Sequence, residues 1–267
     1  MPDGAPRETT IVHFRGGGFA PKPRPWASWL FFAALAALWQ AASSAGLINS
    51  LFLPSPLRIA AALQEIIVNG ELFRHLGASL FRIGVGWLIG SIGGIILGGA
   101  IGLSSLGRSA GLPFISALFP VPKIALLPLL ILWLGIGEAS KIATIALGVF
   151  FPMAISTYAG VDSVPRNLIR MAQSFDIPVH AIVRNVIIPA TMPSILSGCR
   201  ISASIALILV VAAEMIGANV GIGAYLLTAG NLMQTDQLMA AIVAISVLGL
   251  MIGALISWLE RMLLRWR

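Results

Sequence analysis

From residue 29 onward the chain alternates long apolar runs with short polar ones. The runs 29–48, 83–106, 142–161 and 237–259 carry no charged residue. Two more runs are almost as apolar: 112–134 holds only Lys123, and 197–217 holds Arg200 near its start and Glu214 near its end. About 20 apolar residues take a helix across the hydrocarbon core of a bilayer. The pattern therefore predicts an all-α, polytopic membrane protein with about six transmembrane helices. The first run starts too far from residue 1, and is too long, to read as a cleaved signal peptide. No internal repeat is visible.

Composition supports this reading, and charge adds an orientation. Of 267 residues, 58% are hydrophobic and 10% charged, whereas soluble domains carry about 25% charged residues. The net charge of +7 is spread over short segments between apolar runs, which fits anchoring at a membrane face rather than a nucleic-acid patch. With the N-terminus inside, the inner segments hold Arg7, Arg15, Lys22, Arg24, Arg108, Arg166, Arg170, Arg184, Arg200, Arg261, Arg265 and Arg267. The outer segments hold Arg58, Arg74 and Lys141. This positive-inside bias puts both termini, and the polar stretch 162–196, in the cytoplasm. The lone Cys199 excludes an internal disulfide or a multi-cysteine metal site, and His13, His75 and His180 show no ligand spacing.

The Gly/Pro/Arg-rich leader, residues 1–28, reads as a disordered cytoplasmic tail ahead of a transmembrane domain over 29–267. Outside, 54–79 reads as one or two amphipathic helices, with Ser55 as a cap, Pro56 in the first turn and Gly70 as a stop. Gly86, Gly90, Gly94, Gly98 and Gly102 recur every four residues. On a helix they form a stripe that lets a neighbouring helix come close. That neighbour is expected chiefly within the same chain, with a subunit interface or a pathway lining as the alternatives. Prolines 113, 120, 122 and 128 predict that the span 112–134 is kinked or broken. Lys123 and Glu214 are the two charges deepest in the spans, so each is a candidate for the translocation pathway. The structural alternatives are an irregular entry loop for Lys123 and the outer interface for Glu214.

The segment 162–196 reads as two short helices joined by a turn. Ser163 is placed to cap the first, with Pro165 in its first turn. Asp176 is placed to end it and cap a second, which should stop before Pro189. The segment has no carboxylate pair, no His beside Ser or Cys, and no metal-ligand cluster, yet it keeps Ile169, Met171, Phe175, Ile177, Ile182 and Val186. An apolar, protruding element without chemistry points to a protein-binding knob.

This segment resembles the EAA loop of ABC-importer permeases, whose pattern is Glu-Ala-Ala, three residues, Gly, nine residues, then Ile-x-Leu-Pro. With Pro189 on the last proline, Val186 and Ile188 fall on the apolar pair, Asp176 on the glycine, and Arg170, Met171 and Ala172 on Glu-Ala-Ala. Arg170 and Asp176 depart from the pattern. "LLPLLILWLGIGEASKIATIALGVFFP", "IIPATMPSILSGCRIS" and "VVAAEMIGANVGIGAYL" also look like the nitrate/sulfonate/taurine class of these permeases.

The resemblance covers roughly residues 29–267. It implies a type I ABC-importer permease architecture in a bacterial inner membrane. It also implies a second permease copy, two ABC ATPase subunits and an extracytoplasmic solute-binding protein. Arg170, Met171, Ala172, Phe175, Asp176, Ile177, Val186, Ile188 and Pro189 become the ATPase-coupling residues. The chain has no G-x-x-x-x-G-K-[ST] phosphate loop, so no cofactor is expected in this chain. ATP and Mg would be bound by the partner ATPase, and the permease itself would not be an enzyme. The alternatives are an ion-coupled secondary transporter, which needs more intramembrane ionisable groups, and a membrane enzyme, for which no nucleophile has a paired base.

Overall fold

The computed structural model describes residues 25–264. The expected tail therefore lies mostly outside the described residues, and its last four, 25–28, form the first turn of α1. The chain divides at residue 48 into two units. In the first, α1 (Pro25–Ser44) is a 20-residue helix without a charge.

The second unit holds the remaining helices in chain order. They are α2 (Pro56–Val68), α3 (Glu71–Leu103), α4 (Ser105–Leu118), α5 (Leu127–Leu134) and α6 (Glu138–Asp162). Then come α7 (Arg166–Ser174), α8 (Val179–Ile182), α9 (Ile188–Gly217), α10 (Ile222–Asn231) and α11 (Thr235–Leu263). No strand occurs among the described residues. Five helical stretches are long and apolar enough to cross a membrane, and the bent pair Ser105–Leu118 with Lys123–Leu134 makes a sixth.

As expected, Ser55 caps α2, its hydroxyl accepting from the Arg58 N–H at 3.3 Å, with Pro56 in the first turn. The chain turns at Gly70, φ +75°. The next helix does not stop before the span. It runs on as the 33-residue α3, about 50 Å long against a hydrocarbon core of about 30 Å. After Gly70 no proline breaks the helix, and His75, Ser79 and Arg82 in its first turns find partners of their own.

The glycine stripe faces α6, and the two helices run parallel in a fixed register. A Cβ on Gly86 would meet Ile145; on Gly90, Val149; on Gly94, Met153; on Gly98, Thr157; and on Gly102, Val161, each 59 positions on. The other side of α6 receives α9 antiparallel, with Gly148 against Leu209 and Gly160 against Thr191 and Ser194. Lipid supplies no hydrophobic drive for helix association, so this close backbone approach carries the packing. The core of Ile83, Ile145, Val149, Met153, Ala206, Leu209, Val210 and Leu248 lies where α3, α6, α9 and α11 meet.

The proline-rich span breaks. α4 ends at Leu118, a 3-10 turn spans Lys123–Leu126, and α5 leaves at 85° to α4. Pro122 lacks the N–H that would close on the Leu118 carbonyl in a continued helix. Lys123 supplies donors instead, its Nζ reaching the carbonyls of Leu118, Phe119 and Val121 at 2.7–2.8 Å. The same ammonium stands 4.5 Å from the centre of the Phe151 ring. Ion pairs also join helices elsewhere: Arg58 to Asp236, Arg108 to Asp162 and Arg200 to Glu260.

Candidate functional site

At one end of the bundle, between α6 and α9, the chain forms the element read above as a two-helix knob. Ile169 and Ala172 of α7 pack with Val164, Ile182, Val183 and Ile187, a small core of its own. α7 ends in a Schellman turn. The Ile177 N–H donates to the Ala172 carbonyl at 3.2 Å and the Asp176 N–H to the Gln173 carbonyl at 3.0 Å. That closure needs a left-handed residue, and Asp176 takes it with φ +52°. This is the position where the family pattern carries glycine.

Three local expectations need correction. Asp176 ends α7 but does not cap α8, whose N-cap position is Pro178 and carries no side-chain cap bond. Ser163 does not cap α7. Its hydroxyl donates to the Gly160 carbonyl at 2.8 Å and so closes α6, while α7 starts at Pro165–Arg166 without a side-chain cap. The second helix also does not end before Pro189. α8 widens into a π-helical turn, Val183–Ile187, and passes directly into α9. The wider turn leaves room for the proline ring beside the preceding turn, where an α-helix would clash. Residues Val179–Gly217 thus form one continuous 39-residue helical stretch.

The coupling candidates fall into two sets. Ala172 is buried in the small core, and Val186 packs against it. Pro189 sits in the first turn of α9. Arg170 and Asp176 are exposed, as are Met171, Phe175, Ile177 and Ile188, Phe175 by 73%. With Leu168 and Val179, also exposed, they make an apolar cap edged by charge. A solvated loop has no reason to display so much apolar surface.

The opposite end holds a buried charge cluster. Glu214, in the last turns of α9, has no exposed surface. It accepts from Arg82 Nη1 at 2.6 Å, from the Ser79 hydroxyl at 2.8 Å and from the Gly223 N–H at 2.9 Å. Arg82, itself 4% exposed, also grips Glu138 at the start of α6 with two bonds of 2.6 Å and donates to the Val220 carbonyl at 2.7 Å. Lys141 is buried within electrostatic reach of all three charges, so two cations balance two carboxylates.

The first amides of α10 are held from outside their helix. Gly221 N–H donates to His75 Nδ1 at 3.0 Å, Ile222 N–H to the Ser79 hydroxyl at 3.0 Å, and Gly223 N–H to Glu214. These are donors a helix start leaves unpaired, and a carboxylate there also suits the helix dipole. Gly221, at φ +143°, admits no side chain, because a Cβ would run into the Glu214 carboxyl and Arg82. Nearby, Tyr225 donates to the Gln237 side chain at 3.2 Å. Burial, helped by Glu71 and Glu65, raises its phenol above the ordinary value.

Of the two pathway candidates, Glu214 thus stands at the centre of this cluster, and Lys123 at the break of the third span. Sequence reading missed Arg82, Glu138, Ser79 and His75. Arg82 falls between the outer segment and the span boundary at 83, so it entered neither charge count. A signal was present: Arg82 lies four residues before Gly86, on the same helical row as the glycines, and that row faces α6.

Residues 90–267 match the model of the binding-protein-dependent transport system inner membrane component. Among curated relatives, a putative aliphatic sulfonates transport permease of Bacillus subtilis is 37% identical over 88% of this chain and 85% of its own. The corresponding protein of Escherichia coli is 38% identical, over 90% and 91%. The taurine transport system permease of Escherichia coli is 37% identical, over 88% and 87%. Among solved structures, a chain of the MetNI methionine ABC transporter in inward facing conformations superposes with a TM-score of 0.57 at 20% identity. It covers 73% of this chain and 95% of that one.

The chain belongs to the inner membrane components of binding-protein-dependent transport systems, the permease subunits of ABC importers. The fold is that of a type I importer permease, and the protein is a multi-pass inner membrane subunit. Family membership sets aside the ion-coupled secondary transporter. ABC importer permeases work with ATPase and binding-protein partners.

Proposed function

We propose that this permease imports a small organosulfonate or taurine-like anion, delivered by a binding protein and driven by ATP hydrolysis on partner subunits. The observation that carries the mechanism is the exposed cap of Leu168, Met171, Phe175, Ile177 and Val179 beside Arg170 and Asp176. It is an apolar, charge-edged surface on α7 and the turn that leads into a helix continuous with a span, suited to a groove on an ATPase. The end bearing it faces the cytoplasm, in keeping with its arginines. Two permease copies and two ATPases make the assembly, and ATP and Mg bind on the ATPases. The sulfonate assignment rests on the relatives' names, with nitrate as the competing anion of the same class.

Uptake of labelled taurine and of an alkanesulfonate into vesicles containing the complex and its binding protein tests the substrate. Uptake should require ATP and be competed by the other sulfonate. Competition by nitrate alone would reassign the cargo. Arg170→Glu and Asp176→Lys, made singly, test the docking surface: each should cut co-purification with the ATPase and transport-coupled ATP turnover at least several-fold. Wild-type values in both variants would remove the cap from the interface.

A further inference from the structure

The segment 218–223, where α9 hands over to α10, is tied down almost wholly by side chains of other elements. His75, Ser79 and Arg82 come from one face of α3, at i, i+4 and i+7. They take Gly221, Ile222 and the Val220 carbonyl respectively, while Glu214 of α9 takes Gly223. Arg82 extends the same knot to α6 through Glu138. Side-chain ties can be released without unwinding a helix, unlike backbone ladders. The two carboxylates on Arg82 also differ: Glu214 is sealed, whereas the Glu138 side chain is 51% exposed and can exchange its partner for water.

The second observation is mechanical. Glu214 sits at the far end of the continuous stretch Val179–Gly217, whose other end begins beside the exposed cap. This stretch of 39 residues, about 58 Å at 1.5 Å per residue, is helical throughout, with a π turn at Val183–Ile187 near its start and Pro193 in its interior, and joins the two ends of the bundle. Arg82 and Glu138 belong to α3 and α6, which are locked together by the glycine register. A shift of α9 against that pair therefore acts directly on the Arg82–Glu214 bond.

We propose that Arg82 is the positioning residue of a closure at the far end of the permease. It holds 218–223 and α10 shut against α3 and α6 in the resting state, and movement of α9 at its coupling end lets them go. The inference rests on the reading that the 163–188 end receives the ATPase. It assigns Glu214 to the closure rather than to contact with solute.

The test is amide hydrogen exchange on the permease–ATPase complex in nanodiscs, with and without ATP and vanadate. In the resting complex, peptides over 218–224 should be protected, and exchange should rise at least tenfold in the vanadate-trapped state. Glu138→Gln, which keeps Arg82 paired with Glu214, should speed exchange over 218–224 in the resting complex and leave 145–161 protected. Equal protection over 218–224 in both nucleotide states, while 163–188 responds to the ATPase, would overturn the closure and leave the docking reading standing. Unchanged exchange in Glu138→Gln would equally overturn the role of Arg82. If 163–188 gains no protection when the ATPase is added, the docking reading falls, and this inference with it.

Discussion

One guanidinium, that of Arg82, serves four acceptor atoms: both oxygens of Glu138, one of Glu214 and the carbonyl of Val220. Arginine suits the place because its planar fork presents fixed donors and stays charged when buried. Removing one partner of a buried pair leaves the other uncompensated, at a cost of about 3–5 kcal/mol. Arg82→Met should therefore lower the thermal midpoint of the purified permease sharply. Adding Glu214→Gln to it should restore part of the loss, since no unpaired buried carboxylate then remains. If the double variant is no more stable than Arg82→Met alone, the pair is not what the variant disturbs. Lys123 is a second case in which one side chain serves irregular backbone, its ammonium donating to the carbonyls of Leu118, Phe119 and Val121 at the break.

At the scale of elements, the glycine stripe decides how α3 and α6 meet. A Cβ on Gly90 or Gly98 would run into the backbone carbonyls of Ala146 and Ala154, whereas Gly84 and Gly99 face open space. Overpacking typically costs about 1–3 kcal/mol, and a backbone carbonyl cannot swing aside as a side-chain end can. Gly90→Ala and Gly98→Ala should each destabilise the permease by about that much. Gly84→Ala and Gly99→Ala should be neutral or slightly stabilising, because alanine favours the helix. Thermal unfolding of the four variants in detergent reads this directly, and equal losses in all four would mean the stripe does not set the spacing. The periodicity of the stripe was legible in the sequence because it is a local property of one helix. The identity of its partner was not, since α6 begins far along the chain.

At the scale of the whole molecule, the second unit has two unlike ends. One presents an exposed apolar cap, the other an ionic knot in which Glu214 is sealed and Glu138 half exposed, and α9 links the two. The arginine distribution predicts that the capped end is cytoplasmic. In a Cys199→Ser background, a membrane-impermeant maleimide should label Asn69→Cys on intact spheroplasts, and Ser174→Cys only after permeabilisation. Both positions are exposed. The reverse pattern would invert the topology and separate the cap from any cytoplasmic ATPase.

The amino-acid sequence by itself determined the helical class, the number of spans, the break in the proline-rich one, the glycine stripe and the candidate docking segment. Each follows from patterns within about 30 neighbouring residues, where hydrophobic period, proline geometry and cap chemistry act. The tertiary structure alone decided that α8 runs on into α9 through a π turn, and that Ser163 closes one helix rather than opening the next. It alone brought Glu214 to Arg82, 132 positions away. A buried carboxylate must find its cation somewhere, but composition and spacing do not say where. That choice belongs to the packing of α3, α6 and α9, which brings these groups to one point and shuts water out.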